Sequence, residues 1–249
     1  MKAIVIREAG GPEVMRFEDV PEPSVGPGQV LIRIAAAGIN FSDVGSRENA
    51  TPADLPRIMG SEASGTVVAV GPGVTRFREG DLVACEPVPG CYAEMVVAQE
   101  SSTVKLPAGL RHDLAVASML QTRTAYAMAY HAYPIKPGDI VPVHAGAGGV
   151  GLLLTQMAKQ LGATVITTVG SDEKVQASLE NGADHVLRHL HQRPPLRADG
   201  GRRAAAHGDR LRLGPPPARS TPAPRATRWP RPPAHTAICR SGGLSGSWC

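Results

Sequence analysis

Three glycines near the middle of the chain have the spacing of a phosphate-binding turn. Gly146, Gly148 and Gly151 form the pattern G-x-G-x-x-G within V-H-A-G-A-G-G-V-G. In such a turn the first glycine allows a tight bend and the second lets the backbone approach a pyrophosphate. The third brings the following helix close to a strand. The helix N-terminus, with its free N–H groups, then favours the negative charge. This pattern predicts dinucleotide binding; the alternative is a glycine-rich turn that only connects two elements.

The segments that flank these glycines have the pattern of a βαβ unit. A short buried strand is predicted at 140–144. From Val150 to Leu161 apolar residues recur at helical spacing, and Gly162 follows where a helix would stop. A second strand, apolar and β-branched, is predicted at 164–169. Because the glycine turn falls between a predicted strand and a predicted helix, dinucleotide binding is favoured over a connecting turn.

The end of the second strand indicates which dinucleotide is bound. An NAD site usually places an acidic side chain there, which bonds the ribose 2′-hydroxyl. Here the strand ends before Ser171, which we interpret as the N-cap of the next helix, with Asp172 in its first turn. A carboxylate about 4 Å from a 2′-phosphate would cost on the order of 4 kcal/mol at an effective dielectric near 20. The absence of one at the strand tip, with Lys174 nearby, favours NADPH. The alternative is that Lys174 is solvated and Asp172 binds the ribose of NAD.

Composition and length are those of a globular protein. The 249 residues, of which 42% are hydrophobic, suffice for one large domain or two modest ones. No run of 18 uncharged apolar residues occurs, so no membrane span is expected. The N-terminus enters a strand without a signal-peptide pattern, and we therefore predict a cytoplasmic protein. The four cysteines lack C-x-x-C spacing, which argues against a zinc or disulfide framework.

The first half of the chain is rich in short strands separated by glycine and proline turns. These strands are predicted at 3–6, 15–20, 29–36, 63–70, 81–85 and 92–97. Many short strands with such turns are typical of a compact barrel-like domain. An alanine-rich helix, predicted at 111–130, links this domain to the βαβ unit.

Four motifs in this order resemble those of a known superfamily. They are G-I-N-F-S-D at 38–43, G-S-E-A-S-G at 60–65, E-G-D-L-V at 79–83 and the glycine turn at 143–151. Together they resemble the medium-chain dehydrogenase/reductase superfamily, and most closely its zinc-free quinone oxidoreductases, the group that includes zeta-crystallin. The resemblance covers the chain up to about Leu187. It implies a GroES-like β-barrel domain at 1–121 and an incomplete Rossmann domain, a doubly wound parallel sheet, at 122–187.

The zinc ligands of the related alcohol dehydrogenases are replaced here. Those enzymes carry a cysteine at the position of Asn40 and a histidine at that of Ser61, and asparagine and serine are poor zinc ligands. Without zinc there is no Lewis acid to polarise a carbonyl. The resemblance then implies metal-free hydride transfer from NADPH to a quinone, with reduction of an enone or enoyl substrate as the alternative.

The resemblance also implies site residues. Asn40 and Asp43 are expected to line the catalytic pocket beside the nicotinamide, and Thr124 to bind its carboxamide. The glycine turn would face the pyrophosphate through Gly146, Gly148, Gly149, Val150 and Gly151. Ser171 and Lys174, at the end of the second strand, would hold the 2′-phosphate. By residue type alone, Asn40 and Asp43 also suit a turn after a strand. Gly45 stands where members often carry a tyrosine, so the quinone side of the pocket departs from the family.

The composition changes after Leu187. The residues before this point carry 14 Lys+Arg against 20 Asp+Glu, whereas those after it carry 12 arginines, no lysine and two aspartates. Only six of the last 62 residues are Leu, Ile, Val or Phe, and ten are proline. Such a segment buries too little apolar surface to order itself, so 188–249 is predicted to be a disordered tail.

Arginine without lysine amid proline, alanine and glycine is typical of GC-rich DNA translated in a shifted frame, which is our hypothesis for this tail. The alternative is a basic tail that binds nucleic acid through phosphates, but such tails usually mix lysine with arginine. In the family, the pattern after Leu187 continues with an asparagine and a tyrosine and later supplies the homodimer surface. The resemblance therefore implies a homodimer whose surface this chain does not supply, and a non-catalytic remnant with a basic tail is a further alternative.

Overall fold

The computed structural model describes residues 1–188 and a short strand at Ile238–Arg240. The chain divides into two compact units. The first contains residues 1–120 and the short strand, and the second begins at Gln121. The domain limits given above stay predictions, and each unit is described by itself.

The predicted tail, to which the frameshift hypothesis applies, lies largely outside the described residues. Two places within 188–249 are described. Arg188 is the last residue of a strand, and Ile238–Arg240 pair antiparallel with residues 36–38. These four residues are exceptions to a tail without strands, because backbone pairing can order a short segment that has few apolar residues.

The first unit consists mainly of antiparallel strands. Its elements in chain order are β1 (Lys2–Ile6), β2 (Arg16–Asp19), β3 (Gln29–Gly38), α1 (Phe41–Glu48), β4 (Arg57–Ile58), β5 (Ala63–Val70), β6 (Leu82–Cys85), β7 (Met95–Gln99), β8 (Thr103–Lys105) and α2 (His112–Ala117). One sheet has the order β2-β1-β4. A larger sheet begins with the strand at 238–240 and continues β3-β5-β6-β8, with β7 also paired to β3. Alternate residues of β3, among them Val30, Ile32 and Ile34, form the centre of the core.

The second unit contains a parallel sheet. Its elements are α3 (Leu120–Tyr126, which starts at the last residue of the first unit), a π-helical segment (Ala127–Ala132), β9 (Ile140–Val143), α4 (Gly149–Gln160), β10 (Thr164–Val169), α5 (Asp172–Glu180) and β11 (His185–Arg188). The three strands are parallel in the order β11-β10-β9. We number the strand at Ile238–Arg240 β12. The predicted strand–turn–helix–strand unit is thus present.

The prediction of one continuous helix at 111–130 is wrong, because the structure divides this segment into α2, α3 and the π-helical segment. Ser118 leaves the helical region with φ −101° and ψ 2°. The backbone N–H of Leu120 then donates to the carboxylate of Glu62 at 2.9 Å. A long-range partner therefore starts the new helix, and alanine content could not indicate where it starts.

Pro142 lies within β9, where a proline is unexpected if the strand is central. It is exposed, and in the described part of the chain β9 pairs only with β10. A proline removes a ladder hydrogen bond, so it is tolerated on an edge strand.

The hydrophobic core of the second unit includes Val143, Leu153, Met157 and Val165, and it holds α4 against β9 and β10.

Candidate functional site

Three loops and strand ends meet at one edge of the parallel sheet. β9 leads into the glycine turn, β10 leads to Ser171, and β11 ends at Arg188. Because the three strands are parallel, their carboxyl ends lie at the same edge. In open parallel sheets this edge is where ligands bind.

The glycine turn is tight, and two of its glycines are required by packing. A Cβ at Gly146 would collide with the Thr167 side chain, and one at Gly151 would collide with the carbonyl oxygen of Ala145. The close approach at Gly151 is therefore between the first turn of α4 and the backbone of the glycine turn, and the predicted approach of the helix to a strand stays a prediction. Ala145 has φ +52°, a left-handed conformation that few residues other than glycine adopt.

The start of α4 fits a diphosphate. Gly148 is the N-cap and is exposed, and its own N–H donates to Ala145 O at 2.8 Å. Gly149, Val150 and Gly151 follow as the first helical residues, whose N–H groups have no carbonyl one turn earlier. Gln121 lies against Gly149, and its buried Oε1 has no hydrogen-bond partner. Free amides and an unsatisfied polar atom at one helix start are consistent with a polar ligand there.

The end of β10 carries the residues predicted for the 2′-phosphate. Ser171 is the N-cap of α5, as predicted, and Lys174 lies exposed in the same helix. Asp172, the first residue of α5, forms an ion pair with Arg188, with 2.9 Å between Oδ1 and Nη1. Thr124 lies on α3 in the same unit, and its contact with the carboxamide stays a prediction.

In the first unit, Asn40 and Asp43 form the N-terminal cap of α1. The Asn40 N–H donates to Asp43 Oδ2 at 2.8 Å, and the Asp43 N–H donates to the Asn40 carbonyl at 3.0 Å. The Tyr92 hydroxyl donates to the same Oδ2 at 2.6 Å, and Ser61 Oγ lies 3.4 Å from Oδ1. Both capping residues are less than a tenth exposed. The turn role that their residue types suit is thus present, and the predicted pocket role remains a proposal.

Glu62 lies behind this cap and is 1% exposed. Asn40 Nδ2 donates to its Oε1 at 2.7 Å, and the Leu120 N–H donates to its Oε2. Burial raises the pKa of the Glu62 carboxyl above its ordinary value. The bonds from Asn40 and Leu120 offset this effect in part, and the charges of Glu86 and Asp43 add to it. A Cβ at Gly38 would occupy the space of the Glu62 carboxylate, which explains the glycine.

Among residues 1–188 and 238–240, no group of three or more His, Cys, Asp or Glu side chains could hold a metal ion. The metal-free prediction continues to depend on Asn40 and Ser61, the residues at the zinc-ligand positions. None of the helices that the structure describes is both long and apolar enough to cross a membrane.

Four residues of these two sites were not predicted from the sequence: Glu62, Tyr92, Gln121 and Arg188. Glu62 lies inside the G-S-E-A-S-G motif, which was the available signal for it. Tyr92 and Gln121 reach their partners across 49 and 28 positions of sequence, and no local pattern indicates such a contact. Arg188 was assigned to the tail because the composition changes there.

Family comparisons agree with this architecture. The family model of the alcohol dehydrogenase GroES-like domain matches residues 26–108, and that of the zinc-binding dehydrogenase family matches residues 149–198. The second match extends beyond Leu187, where the sequence motifs stopped. A GroES-like domain and a partial Rossmann domain are thereby confirmed.

Individual relatives point to one branch of this family. The chain is 40% identical to a quinone oxidoreductase of Pseudomonas aeruginosa, over 77% of this chain and 59% of the relative. It is 37% identical to a 2-haloacrylate reductase of Burkholderia sp., over 76% of this chain and 59% of the relative. The solved structure of Escherichia coli quinone oxidoreductase complexed with NADPH superposes with a TM-score of 0.72 at 36% identity, covering 75% of this chain and 58% of that one.

The fold, the glycine turn and these relatives define a member of an oxidoreductase superfamily. The chain belongs to the medium-chain dehydrogenases/reductases, in the branch of the quinone oxidoreductases. It spans 50–59% of the length of the curated relatives that it matches.

Proposed function

We propose that this chain is an NADPH-dependent quinone oxidoreductase that transfers hydride to a quinone without a metal. The observation that carries the proposal is the glycine turn. It joins a parallel strand to α4, its N-cap Gly148 is exposed, and the first amides of the helix are free of helical partners. Two relatives are quinone oxidoreductases, and one of these was solved with NADPH.

The residues at the carboxyl edge would hold different parts of the cofactor. The amides of Gly149 and Val150 would bind the pyrophosphate, and Ser171 and Lys174 would bind the 2′-phosphate. Thr124 would bind the carboxamide. Bound NADPH supplies a hydride; the protein supplies orientation and electrostatic stabilisation.

The substrate side would be formed by the capped turn of the first unit. Its polar side chains hold one another firmly: Asp43 accepts hydrogen bonds from Tyr92 and from the Asn40 backbone, and Glu62 accepts one from the Asn40 amide. A fixed Asn40 amide beside the nicotinamide would position the acceptor rather than take up or release a proton. Asn40 and Ser61, in place of zinc ligands, favour an acceptor that is already electron-poor.

Reduction of an enone or enoyl substrate is the second candidate. The observations that favour it are the similarity to a 2-haloacrylate reductase and Gly45, which removes the tyrosine expected on the quinone side. Both candidates share the cofactor and differ in the acceptor.

NADPH oxidation by the full chain, with benzoquinone and with an α,β-unsaturated aldehyde, tests the proposal. We expect turnover with the quinone, less with the aldehyde, and no change after treatment with a chelator. Faster turnover of the aldehyde would favour the second candidate. No oxidation of NADPH with either acceptor would contradict both.

A further inference from the structure

We infer that Arg188 is a specificity-determining residue that selects a cofactor with a 2′-phosphate; the inference depends on the proposed NADPH site. It is the last residue of β11 and pairs in register with Val169, the last residue of β10. Ser171 follows Val169 by two residues. Arg188 thus lies at the same sheet edge as the residues predicted to bind the 2′-phosphate.

The contact of Arg188 with Asp172 weakens the repulsion that the Asp172 carboxylate would exert on a bound 2′-phosphate. Asp172 is the first carboxylate after the tip of β10, and an unpaired carboxylate there would repel a second anion. The guanidinium of Arg188 lies 2.9 Å from Asp172 Oδ1, so it offsets this charge. The alternative in which Asp172 binds the ribose of NAD would require that it leave Arg188.

The Arg188 guanidinium has more N–H donors than the ion pair with Asp172 uses. It carries five N–H donors in a planar fork, and the ion pair involves Nη1. The Arg188 and Asp172 side chains are 42% and 77% exposed, so a phosphate from solvent could reach them. An ion pair this exposed contributes little to stability, so exchanging Asp172 for a phosphate would cost the fold little.

The residue type is also informative. In the family pattern described above, the segment after Leu187 continues with an asparagine, which is neutral and presents no guanidinium. Arg188 therefore gives this chain one more cation at the sheet edge than the family pattern supplies. Together with Lys174, it would place two positive charges where the 2′-phosphate is expected.

Binding of two small nucleotides to the full chain tests this role. Adenosine 2′,5′-bisphosphate carries the 2′-phosphate, and 5′-AMP lacks it; both depend only on the adenosine end of the site. Ligand-observed NMR titrations would give dissociation constants even for weak complexes. The variants are Arg188→Asn, which is the family residue, and Asp172→Asn, with thermal unfolding to check that each is folded.

We expect Arg188→Asn to weaken binding of the bisphosphate about 10-fold, as for loss of one charge-assisted contact, and to leave 5′-AMP unchanged. Asp172→Asn should strengthen binding of the bisphosphate about 3-fold, because it removes a negative charge and frees the guanidinium. Both differences should shrink at high salt.

Three results would overturn the inference. If wild-type protein binds the bisphosphate and Arg188→Asn leaves that affinity unchanged, Arg188 has no part in binding and the proposed function stands. If Asp172→Asn weakens binding of the bisphosphate, or Arg188→Asn weakens both nucleotides equally, the ion pair only holds the strand end in place. If wild-type protein binds neither nucleotide, the NADPH site itself is wrong.

Discussion

Glu62 shows how a single buried residue organises the first unit. Its two carboxylate oxygens accept bonds from Asn40 Nδ2 and the Leu120 N–H, which belong to segments 22 and 58 residues away. Because burial raises its pKa, the folded protein holds the Glu62 proton more tightly than the unfolded chain does. Protonation therefore stabilises the fold: this contribution is fully present below about pH 4.5 and is lost as the pH rises through the higher folded pKa.

Substitution of Glu62 tests this account. Glu62→Ala removes the carboxylate that accepts from the Asn40 amide and the Leu120 N–H, so we expect a loss of about 2–4 kcal/mol in the free energy of unfolding. Glu62→Gln keeps one acceptor, and the Asn40 amide can turn to offer its oxygen, so its cost should stay within about 1 kcal/mol at pH 7. Urea unfolding followed by circular dichroism measures both.

The pH dependence separates the charge from the hydrogen bonds. The difference in stability between wild type and Glu62→Gln should change as the pH rises from about 4.5, since only the wild type loses the contribution of the protonated carboxyl. Parallel pH profiles of the two proteins would contradict the raised pKa.

Ala145 gives a second prediction at this scale. Its φ of +52° is strained for alanine, so Ala145→Gly should stabilise the second unit by about 0.5–1 kcal/mol. Ala147 lies in the same turn, without a positive φ, and Ala147→Gly should destabilise by a similar amount. Thermal unfolding of the two variants is the measurement, and equal effects would show that the turn is not strained at Ala145.

The sequence predicted these residues unevenly. Asn40 and Asp43 could be proposed as site residues because a motif contains them, and Ser171 could be predicted as an N-cap because an N-cap after a strand has a recognisable residue type. Tyr92, which completes the Asp43 cluster, could not be found in this way. Backbone hydrogen bonds with Ile4 and Met59 hold Tyr92 in place, and its partner Asp43 lies 49 positions earlier in α1, which no local pattern encodes.

At the scale of elements, Asp184, which directly precedes β11, connects the start of that strand to α4 and β10 of the βαβ unit. Its carboxylate accepts two bonds from Lys159 Nζ of α4, at 2.8 and 2.7 Å, and one from the Val165 N–H of β10 at 2.7 Å. Partial burial raises the Asp184 pKa, but these partners outweigh it and the net pKa is lowered. The stabilisation is present above about pH 3.8 and is lost as the pH falls through the lower folded pKa.

Asp184→Asn should therefore destabilise the second unit at pH 7. The loss should be only about 1 kcal/mol, because the Lys159–Asp184 pair is about a third exposed and solvent screens its attraction. Urea unfolding at pH 7 and near pH 3 measures the difference, which should shrink in acid as the wild-type carboxyl is protonated. The exposed Asp172→Asn variant is the control and should change stability little. A loss that persists unchanged in acid would show that charge plays no part.

Elements were predictable where alternation or helical spacing is strong. All six strands predicted in the first unit are present, although β7 lies at Met95–Gln99 rather than at 92–97. The short strands β4 and β8 and helix α1 were missed. The two strands have two and three residues, too few to show alternation, and α1 contains Gly45 and two serines, which lower its helix propensity.

At the scale of the whole molecule, the proposed function depends on one βαβ unit and one capped turn in a chain that spans 50–59% of the length of its curated relatives. The prediction of a disordered tail can be tested by limited trypsin digestion. With an arginine at 12 of its 62 positions, a disordered tail should be removed first and leave a stable fragment that ends near residue 188. Resistance of the tail arginines at low trypsin concentration would contradict the composition argument.

The most direct test of the account is a comparison of NADPH affinity in wild type and Gly148→Ala, by titration of the full chain and observation of nicotinamide fluorescence. A Cβ at Gly148 lies 3.2 Å from Ala145 O and projects from an exposed N-cap, so the variant should fold. We predict saturable NADPH binding by the wild type and a loss of about 10-fold or more in the variant, since the added methyl group keeps the phosphates from the helix amides. Equal NADPH affinity in the two folded proteins, or none in the wild type, would contradict the central claim that this turn holds the cofactor.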